Sequence, residues 1–249
     1  MTAALTGAEA VIWHEAECGG YADDLDIWAE LAERCGGTVL DLGCGAGRVA
    51  LYLAERGHEV WAVDSDPLLV AELETRAAAR RLRLTPLVGD CRDLDLGHRF
   101  GLVIAPMQLV QILGGGDGRA ALLDRVRAHL ADGGIFAAAV VEGVPPAALA
   151  ADDAALPDVR EVGGLVYSSL PLGARVSGTT LEVRRLRQVV SRDGELREQV
   201  HCDRLDVLDA ATLEAEATSF GLRPGGLRRI PAGDAHVGST VVLLERGER

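Results

Sequence analysis

Two patterns of apolar and polar residues divide this 249-residue chain. Between residues 38 and 142, short unbroken apolar runs alternate with longer segments whose apolar residues recur every three or four positions. Unbroken runs are typical of strands buried on both faces of a parallel sheet, and the longer segments are typical of amphipathic helices. The pattern therefore predicts five parallel strands joined by helices, with the strands at residues 39–42, 60–63, 84–88, 100–105 and 135–141.

After residue 143 the apolar runs become longer and imperfectly alternating, which favours antiparallel strands with one wet face. Three strand-like stretches cover residues 165–170, 179–191 and 195–208, and Asp193-Gly194 predicts a hairpin turn between the last two. Residues 209–220 then predict a helix capped by Asp209, and two final strands follow at 222–230 and 239–245. At the other end of the chain, residues 1–35 predict two short helices separated by Gly19-Gly20.

Composition narrows the choice of ligand and compartment. With 25 basic and 38 acidic residues the net charge is −13, and no basic tract occurs. Binding nucleic acid without regard to sequence relies on Lys and Arg, so we expect no nucleic-acid partner. Five scattered cysteines without a C-x-x-C pair predict a reducing, cytoplasmic setting. The N-terminus lacks the features of a signal peptide and no run is long enough to span a membrane, so no membrane association is expected.

The glycine-rich turn after the first strand limits the chemistry of the ligand. Its spacing, Gly43-x-Gly45-x-Gly47, is followed by an arginine where the dinucleotide fingerprint requires a further glycine, which disfavours a nicotinamide oxidoreductase. Asp41 would repel a pyrophosphate but suits a cationic ligand. Asp64 lies 19 residues beyond Gly45, where a carboxylate can accept hydrogen bonds from ribose hydroxyls. A ribosylated cation without phosphate is indicated, and S-adenosylmethionine has these properties.

Residues 39–47, VLDLGCGAG, resemble motif I of the class I S-adenosylmethionine-dependent methyltransferases. The resemblance implies an α/β fold with the Rossmann-like, seven-stranded sheet of that family. It also implies that Asp64 binds the ribose, that residues 89–91 bind the adenine with Asp90 toward its amine, and that residues 105–108 lie beside the transferred methyl group. The expected cofactor-binding residues are Tyr21, Asp41, Gly43, Cys44, Gly45, Asp64, Ser65, Asp90, Cys91, Ala105 and Gln108.

The same resemblance suggests four regions and a class of acceptor. The expected regions are an N-terminal helical lid at 1–35, the cofactor-binding core at 36–142, an antiparallel β cover inserted after strand five at 143–208, and a closing helix with the terminal β-hairpin at 209–249. The cover resembles that of glycine or sugar N-methyltransferases. Ala105-Pro106-Met107-Gln108 departs from the Asn/Asp-Pro-Pro-Tyr/Phe motif of many enzymes that methylate nucleic acids or proteins, which favours a small-molecule acceptor.

Methyl transfer needs a base only where the acceptor must lose a proton. We name His14 and His236 as candidate catalytic bases, ahead of Glu15 and His201, because sites are commonly built from termini and loops. Each histidine could equally be an ordinary surface residue. No metal site is expected, since His14 and Cys18 alone provide too few ligands.

Two further groups have alternative interpretations. Tyr21 and Trp13 could close over the cofactor or simply pack a helix onto a sheet. Tyr167, Arg175 and Arg204 could line a substrate pocket, or they could belong to a charged outer strand face.

The sequence therefore predicts an enzyme that transfers a methyl group from S-adenosylmethionine to an oxygen or nitrogen of a small molecule. The alternative is a protein of the same fold that binds S-adenosylmethionine without methylating anything. A homodimer is left open.

Overall fold

The structure is a computed structural model that describes residues 7–143, 156–233 and 236–247. Contacts divide the described chain into two compact units, with boundaries after Tyr21, Gly143 and Val207. The first unit contains the described residues up to and including Tyr21 and those that lie between Gly143 and Leu208. The second unit contains the other described residues. None of the helices among the described residues has the length and apolar character needed to cross a membrane.

The described chain contains eleven strands and six α-helices. The strands are β1 Val39–Leu42, β2 Val60–Asp64, β3 Leu84–Val88, β4 Phe100–Ala105, β5 Leu130–Val140, β6 Asp158–Val162, β7 Leu165–Ser177, β8 Thr180–Val190, β9 Leu196–Asp206, β10 Leu222–Ile230 and β11 Ser239–Arg246. The helices are α1 Gly7–Glu17, α2 Leu25–Cys35, α3 Arg48–Glu55, α4 Pro67–Arg80, α5 Gly116–His129 and α6 Ala210–Thr218.

The second unit is built on a seven-stranded sheet in the order β10-β11-β5-β4-β1-β2-β3. Strands β1 to β5 pair in parallel, β11 runs antiparallel to β5, and β10 runs antiparallel to β11. The order reverses between β1 and β4, and open sheets of this kind bind ligands outside the carboxyl ends of their strands at such a switch point. The seven-stranded α/β sheet predicted from sequence is confirmed.

Helix ends in this unit follow the expected local chemistry. Asp66 caps α4 by accepting a hydrogen bond from the amide of Leu68 at 2.8 Å, and Pro67 occupies the first helical turn. Asp209 caps α6 through the amide of Thr212, also at 2.8 Å. These caps agree with the helix starts predicted from sequence.

Glu142 fixes the point at which the chain leaves β5. Its Oε1 accepts a hydrogen bond from the amide of Ala210 at 2.8 Å, and its Oε2 accepts one from the hydroxyl of Thr240 at 2.5 Å. The first residue after β5 with a charged side chain thus also holds the start of α6 and an end of β11.

The first unit is a four-stranded antiparallel sheet in the order β6-β7-β8-β9, with α1 packed against it. The hairpin predicted at Asp193-Gly194 is present, and it joins β8 to β9. β7 is longer than predicted because a bulge between Pro171 and Gly173 lets it continue beyond both residues. β6 pairs only with residues 165–169, so Pro171 lies where β7 has a single neighbour, β8, as is usual for proline in a sheet.

Strand β6 was not predicted, since it follows Pro157 and is short and mostly exposed. The predicted cover at 143–208 overlaps the first unit, but its residues 144–155 lie outside the described part of the chain. The proposed lid at 1–35 is distributed over both units: α1 belongs to the first and α2 to the second.

The buried contacts of the two N-terminal helices explain this division. In α1, Trp13 packs edge-to-face on Tyr167 with ring centroids 5.2 Å apart, and both side chains are buried. In α2, Trp28, Leu31 and Ala32 are buried in the second unit. Each helix therefore buries its apolar face in a different core.

Candidate active site

The glycine turn joins β1 to α3 in a conformation that only glycine adopts easily. Gly43, Gly45 and Gly47 all have positive φ angles, of 66°, 54° and 94°. A Cβ on Gly47 would lie 2.2 Å from Cδ1 of Leu73 in α4, and one on Gly43 would lie 2.8 Å from Cδ1 of Leu109. Leu73 of α4 and Leu109 of the segment that follows β4 thus both pack against the turn.

Asp64, at the carboxyl end of β2, is fixed by two backbone amides. Its Oδ2 accepts a hydrogen bond from Gly45 at 2.8 Å, and its Oδ1 accepts one from Asp66 at 2.9 Å. A carboxylate oxygen has two lone pairs, so each oxygen retains the capacity to accept another hydrogen bond. The half-buried carboxylate therefore links the glycine turn to the end of β2 and remains able to bind a pair of hydroxyls.

Asp41 lies inside the sheet, only 1% exposed. Neither of its oxygens has a hydrogen-bond partner of good geometry among the described residues. Burial raises the pKa of Asp41 to about 8; the charge of Arg48 and the amide of Ala50 oppose this shift, and Asp64 and Asp24 add to it. A buried carboxyl group of this kind gains most from a nearby positive charge.

Arg48, the first residue of α3, forms an ion pair with Asp24 that was not predicted from the sequence. Arg48 donates to both oxygens of Asp24, at 2.5 and 2.8 Å, and the indole nitrogen of Trp28 donates to Oδ2 of Asp24 at 2.9 Å. Asp24 is 1% exposed. The only signal in the sequence was an aspartate directly before a predicted helix, which also fits an ordinary cap.

Asp90 follows β3, as predicted, but its carboxylate is occupied. The guanidinium of Arg92 binds both of its oxygens, at distances from 2.6 to 3.1 Å, and the amide of Arg92 also donates to Oδ1. Hydrogen bonds from Arg92 hold the pKa of Asp90 below its usual value. Any amine that binds Asp90 would share its oxygens with Arg92.

Three of the other predicted cofactor residues lie at the same edge. Burial raises the pKa of the thiols of Cys44 and Cys91, the latter to about 11, so both are un-ionised packing groups at neutral pH. Ser65 is exposed directly after Asp64.

The segment after β4 brings the remaining predicted residues to this edge. Ala105 ends β4 and is fully buried, Met107 has a positive φ of 56°, and Gln108 precedes a short 3-10 helix at Leu109–Gln111. Leu109 packs against Gly43, which draws the ends of β1 and β4 together.

Gln111 has a structural role at the end of the neighbouring strand. Its side-chain carbonyl accepts a hydrogen bond from the amide of Val141 at 2.8 Å, and its side-chain amide donates to the carbonyl of Val141 at 3.3 Å. Gln111 is buried, so this pair of bonds fixes the ends of β4 and β5 to each other.

The two candidate bases lie in different units. His14 is half-buried in α1 of the first unit, and His236 is exposed in a bend before β11 of the second. Of the two lower-ranked candidates, His201 lies on β9 with Nε2 3.1 Å from Asp203, and Glu15 pairs with Arg160 at 3.3 Å. Tyr21, the predicted lid residue, is half-buried at the end of the first unit.

The three residues proposed for a substrate pocket are divided between the two faces of the four-stranded sheet. Tyr167 is buried against Trp13 beneath α1. Arg175 and Arg204 instead lie on the open face, where both bind the carboxylate of Glu182, at 2.9 and 3.4 Å. They line an open groove of about 510 Å³ together with Leu172, Gly173, Ala174, Arg184 and Cys202. The hypothesis of a charged outer face fits Arg175 and Arg204, whereas Tyr167 packs against Trp13, which neither interpretation of Tyr167 predicted.

A search of the described residues for three or more His, Cys, Asp or Glu side chains placed to hold a metal ion finds none. All five cysteines are free thiols.

The residues that build this edge of the sheet are similar to those of a known protein family. The model of a family described as "Methyltransferase domain" matches residues 39–134, which run from the start of β1 into β5. Residues 39–134 are therefore similar to a methyltransferase domain, which supports the resemblance to the class I S-adenosylmethionine-dependent methyltransferases. The resemblance inferred from residues 39–47 is thereby confirmed.

The chain matches curated relatives over only part of their length. A cypemycin N-terminal methyltransferase from a Streptomyces species is 35% identical over 99 residues, which are 40% of each protein. A 2-heptyl-1-hydroxyquinolin-4(1H)-one methyltransferase from Mycobacteroides abscessus is 42% identical over 72 residues, or 27% of this chain and 31% of the relative. The matches thus span about a third to two-fifths of these relatives.

Solved structures extend the likeness to the whole chain. The CcbJ methyltransferase from Streptomyces caelestis has a TM-score of 0.68 at 26% identity, over 92% of this chain and 98% of that one. The sugar N-methyltransferase KedS8 from a Streptoalloteichus species has a TM-score of 0.76 at 20% identity, over 100% and 96% of the two chains. The second likeness shows a shared fold over the whole of this chain.

Proposed function

We propose that the protein transfers the methyl group of S-adenosylmethionine to an oxygen or nitrogen of a small-molecule acceptor. The observation that carries this proposal is the carboxylate of Asp64, which the amides of Gly45 and Asp66 fix within the residues that match a methyltransferase domain. Names of similar proteins support a small acceptor, since they include a sugar N-methyltransferase and a hydroxyquinolinone methyltransferase.

The residues at this edge fit the cofactor in three ways. The glycines let the chain turn with positive φ angles directly after β1, and this turn brings the amides at the start of α3 to the edge of the sheet. Asp64 offers lone pairs for two hydroxyls. Asp41 is a buried carboxyl group without a hydrogen-bond partner of good geometry among the described residues, and it would gain from a cation. When bound, S-adenosylmethionine supplies a methyl group already activated on a sulfonium.

The contribution of the protein's own residues is then to hold the cofactor and to orient the reacting groups. Alignment of reacting groups can lower a barrier by roughly 7–11 kcal/mol. We propose that Gly43, Gly45 and Asp64 hold the cofactor, with Ser65, Asp90 and Cys91 on its adenosine side. Cys44, Ala105 and Gln108 complete the wall, and Tyr21 contributes from the N-terminal segment. Asp90 contributes less than Asp64, because Arg92 already occupies its oxygens.

The assignment of Asp64 is tested by Asp64→Ala. Losing two hydrogen bonds to a charged group should weaken S-adenosylhomocysteine binding by roughly 100-fold, measured by isothermal titration calorimetry. Asp95→Asn, which changes an exposed carboxylate after β3, is the control and should bind normally. Unchanged affinity in Asp64→Ala would show that the ligand binds elsewhere.

Activity is tested by incubating the protein with S-adenosylmethionine and a metabolite extract and searching by mass spectrometry for products 14 mass units heavier. Binding without any product would favour a protein that binds the cofactor without methylating. Stabilisation by NAD but not by S-adenosylmethionine would overturn the proposal altogether.

A base is needed if the acceptor is a hydroxyl, and we propose His14 or His236 for this role. Replacing the responsible histidine by alanine should lower turnover by roughly 10²–10⁴-fold and leave calorimetric cofactor affinity unchanged. If neither substitution changes turnover, the acceptor is already deprotonated or another group acts.

The remaining expectations belong to the same proposal. Free, scattered cysteines support a reducing cytoplasm, and the net charge of −13 supports a partner other than nucleic acid. The lid and cover roles of 1–35 and 143–208 predict slower hydrogen exchange in these segments when S-adenosylhomocysteine binds. Light scattering of the purified protein would decide between a monomer and a homodimer.

A further inference from the structure

The pairing between β4 and β5 stops before the chain leaves the sheet. The last paired residues are Ala105 of β4 and Ala138 of β5. Pro106 follows Ala105 and has no amide hydrogen to donate, so the backbone of β4 cannot simply continue the ladder. Val141, directly after β5, is buried and lies beyond the last residues that pair with β4 and with β11. Its backbone amide and carbonyl groups therefore need partners from elsewhere.

The side chain of Gln111 provides both of these partners. Its carbonyl accepts a hydrogen bond from the amide of Val141 at 2.8 Å, and its NH2 group donates to the carbonyl of Val141 at 3.3 Å. A carboxamide carries an acceptor and donors on one planar group, as a peptide group does. Gln111 therefore takes the place that the backbone of a neighbouring strand would occupy, in a position where the residue is only 2% exposed.

The backbone of Gln111 also closes the turn that contains Gln108 and Leu109. Its amide donates to the carbonyl of Gln108 at 2.8 Å. Leu109, inside this turn, packs against Gly43 of the glycine turn. Met107 has a φ of 56°, which a residue other than glycine keeps only where its surroundings hold it there. Gln111 thus connects the end of β5 to the segment that contacts the glycine turn.

We infer that Gln111 is a positioning residue for the cofactor site, which acts through Gln108 and Leu109. Its side chain is buried and turned to Val141, so it supports the wall of the site from behind. The inference rests on the proposed function, which places residues 105–108 beside the cofactor.

The first test removes the hydrogen bonds of the side chain and keeps its length. Gln111→Met should bind S-adenosylhomocysteine about tenfold more weakly in isothermal titration calorimetry, because the wall of the site is no longer held in one position. Leu222→Ala is the control for a loss of stability alone. Leu222 is fully buried in the core of the same unit, at the start of β10, so this variant should be less stable but bind normally.

Gln111→Glu tests whether the donor of the carboxamide matters. A protonated carboxyl group has one donor and one acceptor, whereas a carboxylate only accepts, and burial favours the protonated form. Relative to the wild type at the same pH, Gln111→Glu should bind S-adenosylhomocysteine almost normally in mildly acid solution and about tenfold more weakly in alkaline solution. Gln111→Met should be weaker by the same factor throughout, and a flat profile for Gln111→Glu would contradict the inference.

A double-mutant cycle tests the route through Leu109. If Gln111 acts by holding Leu109, the double variant with Gln111→Met and Leu109→Ala should bind about as weakly as the weaker single variant. Fully additive losses of affinity, or normal binding by Gln111→Met, would overturn the inference.

Hydrogen exchange of the ligand-free protein separates this inference from the proposed function. Residues 106–112 should exchange faster in Gln111→Met and at the wild-type rate in Leu222→Ala. If the wild type binds no S-adenosylhomocysteine, the proposed function is wrong, and the faster exchange would still show that Gln111 holds this segment. Unchanged exchange in Gln111→Met would overturn the role of Gln111 itself.

Discussion

Two carboxylates only seven positions apart in the N-terminal segment bind arginines in different units. Glu17, at the end of α1, binds Arg187 of β8 with both oxygens, at 2.7 and 2.6 Å. Asp24, before α2, binds Arg48 in the same way. Both pairs are nearly buried, but the first stabilises the four-stranded sheet and the second adjoins the glycine turn. The segment therefore contains two helices, each anchored in a different unit.

The comparison also shows why the two carboxylates differ in function. Glu17 is further held by the hydroxyl of Ser169 at 2.6 Å, and hydrogen bonds from Arg187 and Ser169 outweigh its burial and lower its pKa. Arg187 and Ser169, which donate these hydrogen bonds to Glu17, both belong to the first unit. Asp24 instead pairs with an arginine whose charge also acts on Asp41, a carboxyl group with a pKa that burial raises to about 8. One pair lies in the four-stranded sheet, and the other lies next to the glycine turn.

The largest effect should come from breaking the structural pair. Glu17→Ala leaves the guanidinium of Arg187 buried without its carboxylate and should destabilise the first unit by about 3 kcal/mol. Hydrogen exchange followed by mass spectrometry should show faster exchange in β7, β8 and β9 and little change in α2 and β1.

The control is Glu182→Ala in the same sheet. Glu182 also binds two arginines, but on the exposed face, where ion pairs contribute little. Equal effects of the two substitutions would show that burial does not distinguish the pairs.

The pH dependence of Glu17→Gln sharpens the same prediction. The pKa of Glu17 is lower in the folded protein than in the unfolded chain, so the unfolded chain takes up the proton first as the pH falls. Its contribution to stability is complete above the unfolded pKa and is lost as the pH falls through the folded pKa. Glu17→Gln should therefore reduce the acid sensitivity of the first unit.

A smaller effect is expected at Gly47, which directly precedes Arg48. Gly47→Ala should destabilise the second unit by roughly 1–3 kcal/mol in urea unfolding, because the new methyl group collides with Leu73. Gly57→Ala is the matched control, since its φ of 92° is almost the same but no atom lies within 4 Å of its added Cβ. It should cost only the backbone strain, about 1 kcal/mol. Similar losses of stability in the two variants would mean that backbone strain, and not the collision with Leu73, causes the effect.

Local signals explain most of what the sequence predicted correctly. The glycine spacing, the aspartate that ends β2 and the caps at Asp66 and Asp209 all depend on neighbours within a few positions or on one strand–turn–helix unit. Even the hydrogen bond between Gly45 and Asp64 follows from the pairing of β1 with β2.

The parts that sequence could not supply depend on distant partners. Asp24 and Arg48 are 24 positions apart, and nothing near either residue indicates that they meet. The pair between Asp90 and Arg92 is local, but its competition with a ligand appears only when both oxygens are seen to be bound. Strand β6 depends on pairing with β7, since its own side chains are largely exposed.

The hydrogen bond between Glu142 and Ala210 has a consequence for protein engineering. The residues that precede and follow the inserted β-sheet are already in contact, so the insertion begins and ends at one place on the second unit. Deleting residues 144–207 would leave ends that a short glycine-containing link could join, and an insertion of another size could be grafted at the same position. The hydrogen bond of Glu142 therefore defines one junction for such an exchange, which would also have to include α1, because α1 packs on the inserted sheet.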